Sequence, residues 1–217
     1  MNVTFGICTQ YDDPYRLSQM VASIDDLGIP TYEICVIGSS PNSIFLSSRG
    51  PLFQLQLDAW LPRKKNFIAR QAHFDVLCLA HDYFLFDEKW YESYIKFGTD
   101  WDVCSNPQLL MNGLRHATDW VNWDHPDYPR YYSFDYTDWT KTKHQYISGQ
   151  YFLVKRDFLR DNPMNEHLHP GSAEDVEWSL RIREKAKIMC NPTAVVKHNK
   201  MHRDIYTIFP IHKENHV

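Results

Sequence analysis

The segment Asp75–Asp87, DVLCLAHDYFLFD, decides how the rest of the chain is interpreted. Val76 to Ala80 is an apolar run with the length and composition of a buried strand. His81 and Asp82 follow this run, and large apolar residues come directly after them. Because a carboxylate is costly to bury alone, Asp82 either has a partner within the protein or faces a cleft that binds a cation.

Around this segment, apolar runs alternate with stretches of helical spacing. This alternation predicts an α/β fold with a largely parallel sheet, whereas FLSSRGPLFQLQLD is interpreted as a small hairpin. The predicted strands are NVTFGICTQ, YEICVIGSS, residues 75–80, WDVCSNPQLL, YISGQYFLVKRDFL and IMCNPTAVVKHNK. The predicted helices are PYRLSQMVASIDDLG, LPRKKNFIARQA, DEKWYESYIKFG and AEDVEWSLRIREKA.

Polar residues directly follow three of the predicted strands. Right-handed crossovers place the carboxyl ends of parallel strands at one edge of a sheet, and ligands of open α/β sheets bind at that edge. We therefore expect these residues to meet there. They are Thr9, Gln10, Tyr11, Gly38, Ser39, Ser40, His81 and Asp82.

The bulk composition limits the classes of function. A chain of 217 residues suits one sizeable core, so we expect a single domain over residues 1–217, or one domain of a longer protein. The net charge of −4 gives no reason to expect nucleic acid as a partner. The sequence has no run of the roughly 18 apolar residues that a membrane span needs and no signal-like start, which predicts a cytoplasmic protein. The five cysteines, never spaced as C-x-x-C, are predicted to be buried thiols.

Acidic and imidazole side chains supply the first candidates for chemistry. Asp82 at a strand end suits Mn²⁺ or Mg²⁺, with His198 as a further ligand, although a turn-capping aspartate and a structural histidine are the alternatives. Glu174 and Asp175 open a predicted helix, where carboxylates are favoured electrostatically after Ser172 as the cap. The other interpretation is that one of the two acids faces the cleft as a general base.

Cationic and aromatic side chains supply the second group. Lys64, Lys65 and Arg70 could neutralise a diphosphate, or they could form a solvated helix face. Residues 115–145 are rich in aromatic and polar residues, which predicts a wall or lid that stacks on sugars, or a loop with its own small core. The aromatic residues expected to contact an acceptor are Trp123, Tyr132 and Trp139.

The order of these motifs resembles that of the GT-A fold glycosyltransferases, which use nucleotide-diphosphate sugars. The segments that carry the resemblance are ICTQYDD, KKNFIARQA, HDYF, SGQYFLVKRDF, EDVEWSLR and VVKHN. It covers about residues 3–200, and EDVEWSLR after the SG strand is its most specific part. It implies a small stand-alone domain of the type encoded by bacteria and large DNA viruses, with a mixed, mostly parallel central sheet flanked by helices. The family's DxD position holds His81-Asp82-Tyr83 here, with one acid instead of two.

The resemblance also implies roles for single residues. Asp175 stands where inverting members keep their catalytic base, and Glu174 lies beside it. Asp82 is the implied metal ligand, with metal affinity assisted by His198. The residues expected to contact the nucleotide or the donor sugar are Thr9, Gln10, Tyr11, Ser39, Lys65, Asn66, His81, Asp82, Ser148, Gly149 and Gln150.

The function that follows from the resemblance is metal-assisted transfer of a sugar from a UDP-sugar to a hydroxyl of a glycan acceptor. Inversion with Asp175 as general base is the expected mechanism, and a retaining enzyme on the same fold is the closest alternative. A binding module that has lost catalysis is a second alternative, because the DxD position has a single acid. A sugar-nucleotide pyrophosphorylase is disfavoured, because TQYDDPYR stands where such enzymes carry a glycine-rich loop.

Overall fold

The computed structural model describes residues 1–9, 13–38, 61–168 and 172–200, together with the backbone of residues 52–56. Three of the predicted donor contacts, Gln10, Tyr11 and Ser39, lie outside the described residues.

The described chain alternates strands and helices in the predicted order. The strands are β1 (Val3–Cys8), β2 (Tyr32–Gly38), β3 (Leu52–Gln56), β4 (Val76–His81), β5 (Phe84–Phe86), β6 (Val103–Ser105), β7 (Gln108–Leu110), β8 (Val121–Asn122), β9 (Gln145–Tyr146), β10 (Tyr151–Lys155), β11 (Ile188–Cys190) and β12 (Val196–His198). The α-helices are α1 (Pro14–Asp25), α2 (Leu61–Gln71), α3 (Trp90–Phe97), α4 (Arg156–Asp161) and α5 (Glu174–Ile182), and a 3₁₀ turn covers Thr142–His144.

The main sheet has the strand order β11-β6-β10-β4-β1-β2-β3. All of its pairings are parallel except those of β10, which is antiparallel to both β4 and β6. The prediction of a mixed, mostly parallel α/β sheet is confirmed. The hairpin interpretation is wrong for Leu52–Gln56, which pair in parallel with β2 at the edge of the sheet. A parallel pairing needs a crossover, and residues 39–51 between β2 and β3 lie outside the described chain.

The strand β4 shows why the sheet is apolar on both faces. Cys78 and Ala80 face a core shared with α1 and α3, whereas Leu77 and Leu79 face a second core shared with α2, α4 and α5. A strand that is covered by helices on both faces has a continuous apolar sequence, as residues 76–80 have. All five cysteines are buried and free, as predicted.

The antiparallel strand β10 brings the SGQ segment to the edge of the sheet where β4 ends. Tyr151, its first residue, is paired with Ala80 near the carboxyl end of β4. The backbone N–H of His81 then donates to the carbonyl of Gln150 at 2.9 Å. Residues before β10 therefore lie beside residues after β4, because an antiparallel strand starts where its parallel neighbours end.

The aromatic segment 115–145 forms a small substructure that packs into the second core. Its strand β8 pairs with β9, and Trp120 and Phe134 are buried in the second core. The interpretation of a loop with its own core is not confirmed, because that core is shared with β4, α2 and α5. Among the described residues, no helix has the length and apolar character needed to cross a membrane.

Candidate active site

Asp82 has partners within the protein. It is 5% exposed, its Oδ2 accepts a hydrogen bond from the hydroxyl of Thr9, and its Oδ1 lies 3.7 Å from a guanidinium nitrogen of Arg16. Thr9 follows β1 and Arg16 lies in the first turn of α1, where the Asp13 side chain caps the helix by accepting from the Arg16 N–H at 3.1 Å. A hydroxyl donor and a cation thus stabilise the buried carboxylate, which answers the question raised by its sequence.

Lys64 belongs to the same cluster. Its ammonium donates to the carbonyl of Thr9 at 3.0 Å, and its side chain is buried. The interpretation of Lys64 and Lys65 as a solvated helix face is wrong, since they are 1% and 0% exposed. Of the three cationic residues, Arg70 alone fits that interpretation. Its side chain is 53% exposed, and its guanidinium lies 3.4 Å from Glu166. The burial follows from the position of α2 between the sheet and α4, which leaves one side of the helix facing the protein interior.

Asp175 is held at the start of α5 by donors from another part of the chain. Its Oδ2 accepts from the backbone N–H of Gly149 at 2.9 Å and from the hydroxyl of Tyr146 at 2.6 Å. Burial, followed by the charge of Asp175, raises the pKa of Tyr146, so the phenol keeps its proton and donates it. Two donors on one oxygen fix the orientation of the carboxylate, as a general base requires.

The backbone before Asp175 is strained. Ala173 adopts a left-handed conformation with φ 54° and ψ 52°, which is unfavourable for a residue with a Cβ. Ala173 occupies the cap position of α5 without a side-chain hydrogen bond. The prediction that Ser172 caps this helix is therefore wrong. Strained residues of this kind often occur beside functional groups.

Lys65 is the most unusual group at this edge. Its side chain is fully buried, yet its ammonium makes no hydrogen bond to any described residue. The nitrogen lies 3.1 Å from the point where a Cβ on Gly149 would stand, and Oδ2 of Asp175 lies 3.0 Å from the same point. The ring of Phe152 lies 5.6 Å from the ammonium. Lys65, Gly149 and Asp175 therefore form one compact group.

His81 lies at the end of β4, beside the SGQ segment. Its Nδ1 is 3.0 Å from the hydroxyl of Tyr83, which donates to the side-chain oxygen of Gln150 at 3.0 Å. Burial lowers the pKa of His81 to about 3, and the charges of Lys65 and Lys64 add to this effect. The imidazole is therefore neutral at physiological pH and adds no positive charge to the site.

Two predicted site residues have other roles in the described structure. The Asn66 amide donates to Met164 and Glu166 at 2.9 Å each and accepts from the Met164 N–H at 2.9 Å, so it ties α2 to the loop after α4. His198 is fully buried in the small sheet β5-β12-β7, where its Nε2 lies 3.2 Å from Gln108. Its ring stacks on His116 at 3.9 Å.

The three predicted acceptor aromatics are not grouped together. The Trp123 ring lies 5.7 Å from that of Tyr146, next to the group that orients Asp175. Tyr132 stacks on Tyr128 at 4.6 Å within the aromatic substructure. Trp139 is 39% exposed, and its indole N–H donates to the carbonyl of Cys190 at 3.3 Å, at the end of β11. Only Trp123 adjoins the Asp175 group by these contacts.

The metal ligands expected from the sequence do not fit a divalent cation. The ligands expected from the sequence are Asp82 and His198, but the Asp82 oxygens face Thr9 and Arg16, and His198 is engaged with Gln108. Within the ranges that the structure describes, no cluster of three or more His, Cys, Asp or Glu side chains could hold a metal ion. Mn²⁺ and Mg²⁺ need several oxygen or nitrogen ligands and are repelled by an adjacent guanidinium.

Two contributors to the site were not predicted from the sequence. Arg16 supplies the cation beside Asp82, and Tyr146 supplies a donor to Asp175. Tyr146 could have been predicted as a contributor because only Ile147 separates it from the SGQ segment. Arg16 carried no comparable signal, since a basic residue in the first turn of a helix is normally solvated.

The sequence matches no protein-family model and no curated protein. Solved structures do share its architecture. TarS 1–349 from S. aureus aligns with a TM-score of 0.67 and 14% identity over 92% of this chain and 60% of that chain. The same fragment in complex with UDP-GlcNAc aligns with a TM-score of 0.67 over 97% of this chain and 62% of that one. GalNAc-T7 with UDP, GalNAc and Mn²⁺ aligns with a TM-score of 0.64 and 14% identity over 91% of this chain and 43% of that one.

The chain spans less than two thirds of the length of each of these structures. The neighbours are GT-A glycosyltransferases, and the shared topology agrees with the motif order of the sequence. The protein described here has the GT-A glycosyltransferase fold.

Proposed function

We propose that the protein transfers a sugar from a UDP-sugar to a hydroxyl of a glycan acceptor, with inversion at the anomeric carbon. The observation that carries the proposal is the group formed by Asp175, Gly149 and Lys65. It puts a fixed carboxylate and a buried ammonium side by side at the edge where α/β sheets bind ligands. A base for the acceptor and a counter-charge for the leaving group are the two requirements of the reaction.

The reaction follows from this arrangement. Asp175 accepts the proton of the acceptor hydroxyl, whose oxygen forms a bond to the anomeric carbon as the bond from that carbon to the diphosphate breaks. The UDP leaves with the electron pair of that bond, and the ammonium of Lys65 offsets its charge. The transition state has oxocarbenium character, as in glycoside hydrolysis. Attack from the face opposite the diphosphate inverts the configuration.

The remaining residues of the proposal surround this group. Thr9 and Asp82 shape the floor of the donor site, and His81 and Gln150 line the side made by β4 and β10. Trp123 is the proposed acceptor contact nearest to Asp175. The other proposed contacts, from the sequence resemblance, are Gln10, Tyr11, Ser39, Ser148 and Glu174, with Tyr132 and Trp139 further out on the acceptor side.

Solved neighbours support uridine nucleotides as the donor class. TarS has been solved with UDP-GlcNAc and with UDP, and GalNAc-T7 has been solved with UDP and GalNAc. Metal assistance, which the sequence suggested and which the Mn²⁺ in the GalNAc-T7 complex would favour, is left out of the mechanism because the described donor set does not fit a divalent cation. The cytoplasmic location and the single domain over residues 1–217 stay predictions.

The proposal is tested by calorimetric titration of UDP and a panel of UDP-sugars, followed by assay of UDP release with glycan acceptors. We expect UDP to bind and one UDP-sugar to give acceptor-dependent release of UDP. Absence of both binding and release across the panel would contradict the proposal. Binding of a donor without transfer would instead identify an inactive binding module, and a product with the donor's anomeric configuration, read by NMR, would identify a retaining enzyme.

Replacement of Gly149 by alanine tests the compact group. The new Cβ would stand 3.0 Å from both Cβ and Oδ2 of Asp175 and 3.1 Å from the Lys65 ammonium. Lys65 can move away, but the Asp175 carboxylate is held at that place by the Gly149 N–H itself. We expect the transfer rate to fall by about 10²-fold, the usual cost of misplacing a reacting group by about 1 Å. Steady-state kinetics measures this, and a rate within about threefold of wild type would show that the carboxylate position is not critical.

A further inference from the structure

We infer that this site binds the diphosphate of its donor through protein cations, with Lys65 as the main contact, and needs no divalent metal to do so. The inference rests on the proposed function and concerns the same site. It is carried by a buried ammonium that the protein leaves without a partner, and by a carboxylate that the protein has already neutralised.

The first step of the argument is the state of Lys65. Removing an ammonium from water is costly unless hydrogen-bond acceptors replace the water, and this ammonium has three N–H donors to satisfy. In the part of the chain that is described, the Lys65 nitrogen has no hydrogen-bond acceptor although its side chain is fully buried. The nitrogen lies beside Gly149, 3.1 Å from the point where a Cβ would stand, so no side chain at position 149 comes between it and the segment before β10. A diphosphate would supply several oxygens as acceptors.

The second step is the charge around Asp82. The family's metal position normally offers acids, but here a single carboxylate is opposed by Arg16 at 3.7 Å. Thr9 donates its hydroxyl to that carboxylate, and its carbonyl accepts a hydrogen bond from the Lys64 ammonium at 3.0 Å. Lys64 and Lys65 act electrostatically on Cys8 and His81, at the carboxyl ends of β1 and β4. Because Arg16 already offsets the charge of Asp82, these two cations repel a divalent cation and attract a diphosphate with two or three negative charges.

The first experiment uses the wild-type protein and needs no variant. UDP is titrated by calorimetry in EDTA, in Mn²⁺ and in Mg²⁺, with uridine as the ligand that lacks phosphate. We expect the Kd for UDP in EDTA to lie within about threefold of its value in either metal, and uridine to bind more than about 30-fold more weakly than UDP, as for the loss of a few charge-assisted hydrogen bonds. A Kd for UDP that rises tenfold or more on removal of metal, about 1.4 kcal/mol, would overturn the inference.

The second experiment assigns the counter-charge to Lys65. Lys65→Met keeps most of the side-chain volume. We expect this substitution to weaken the binding of UDP by about 10- to 100-fold and to change the affinity for uridine by less than about threefold. Lys96→Met is the matched control, because Lys96 is an exposed residue on α3 paired with Glu92. Equal UDP affinity in Lys65→Met and Lys96→Met would overturn the role of Lys65. If Lys65→Met does not fold, Lys65→Gln is measured in its place, and the comparison in EDTA decides the metal question independently.

These outcomes separate the inference from the function on which it rests. UDP binding that requires Mn²⁺, with transfer intact, would reject the inference and keep the proposed function. The absence of UDP binding under all three conditions would reject both. Binding in EDTA together with acceptor-dependent transfer in EDTA would support both.

Discussion

Replacement of Asp175 by asparagine should lower the rate of sugar transfer by about 10²- to 10⁴-fold, the range typical of a lost general base. Asparagine has nearly the same shape, and its amide oxygen can still accept from the Gly149 N–H and the Tyr146 hydroxyl. The hydrogen bond that Oδ1 accepts from the Val176 N–H at 2.9 Å is lost, because the amide nitrogen takes that position. The amide cannot take up the acceptor's proton at neutral pH. The affinity for UDP should therefore change by less than about threefold, because the change affects the proton transfer and not the diphosphate.

The measurement combines steady-state kinetics with calorimetric titration of UDP. Glu177→Gln is the matched control, since Glu177 lies on the same helix and its carboxylate pairs with Arg181 at 2.7 Å instead of with the Gly149 group. Glu177→Gln should transfer at a rate close to wild type. Normal transfer by Asp175→Asn would show that the base is another residue, and a product with the donor's anomeric configuration would favour the retaining mechanism.

Replacement of Arg115 by methionine should destabilise the fold by about 3–5 kcal/mol, the cost of leaving a buried charge without its partner. The Arg115 guanidinium contacts Asp119 at 2.8 Å and donates to the carbonyls of Phe134 and Trp120, each at 2.9 Å. The Asp119 side chain is fully buried, and burial raises its pKa despite Arg115 and the donated hydrogen bond of Tyr136. Arg115 therefore links three parts of the aromatic segment through one buried pair.

Chemical denaturation measures this loss, and the free energy of unfolding is compared with that of two further proteins. Arg70→Met removes an exposed cation 3.4 Å from Glu166 and should cost less than about 1 kcal/mol. Adding Asp119→Asn to Arg115→Met should recover part of the stability, because the uncompensated charge is then absent. A loss below about 1 kcal/mol in Arg115→Met would mean that the buried pair does not organise the segment.

The sequence was sufficient to predict a mixed, mostly parallel sheet flanked by helices. The apolar run at residues 76–80 predicted a strand with helices on both faces, because only a doubly covered strand lacks polar alternation. Residues 173–186 predicted the helix that presents Glu174 and Asp175, and the structure begins α5 at Glu174. These features depend on local periodicity and on short stretches of chain.

Burial and pairing between distant segments could not be predicted in the same way. Lys64 and Lys65 have the composition of a solvated helix face, yet both are buried because the remaining side of α2 packs against the sheet and α4. The parallel pairing of Leu52–Gln56 with β2 was also missed, since short apolar runs do not specify the direction of their partner. The sequence predicted His198 as a metal ligand, but in the structure His198 lies in a small second sheet, where its Nε2 is 3.2 Å from the Gln108 side chain.

The sequence by itself determined the α/β alternation, the buried thiols, and the placement of Thr9, Asp82 and Asp175 at the ends of strands or the start of a helix. Tertiary structure alone decided what those side chains meet. The antiparallel direction of β10 brings Gly149 to Asp175, and the packing of α1 brings Arg16 to Asp82. The physical reason is that periodicity is a property of neighbouring residues, whereas the charge balance of a site is set by groups that only the folded chain brings within a few ångströms.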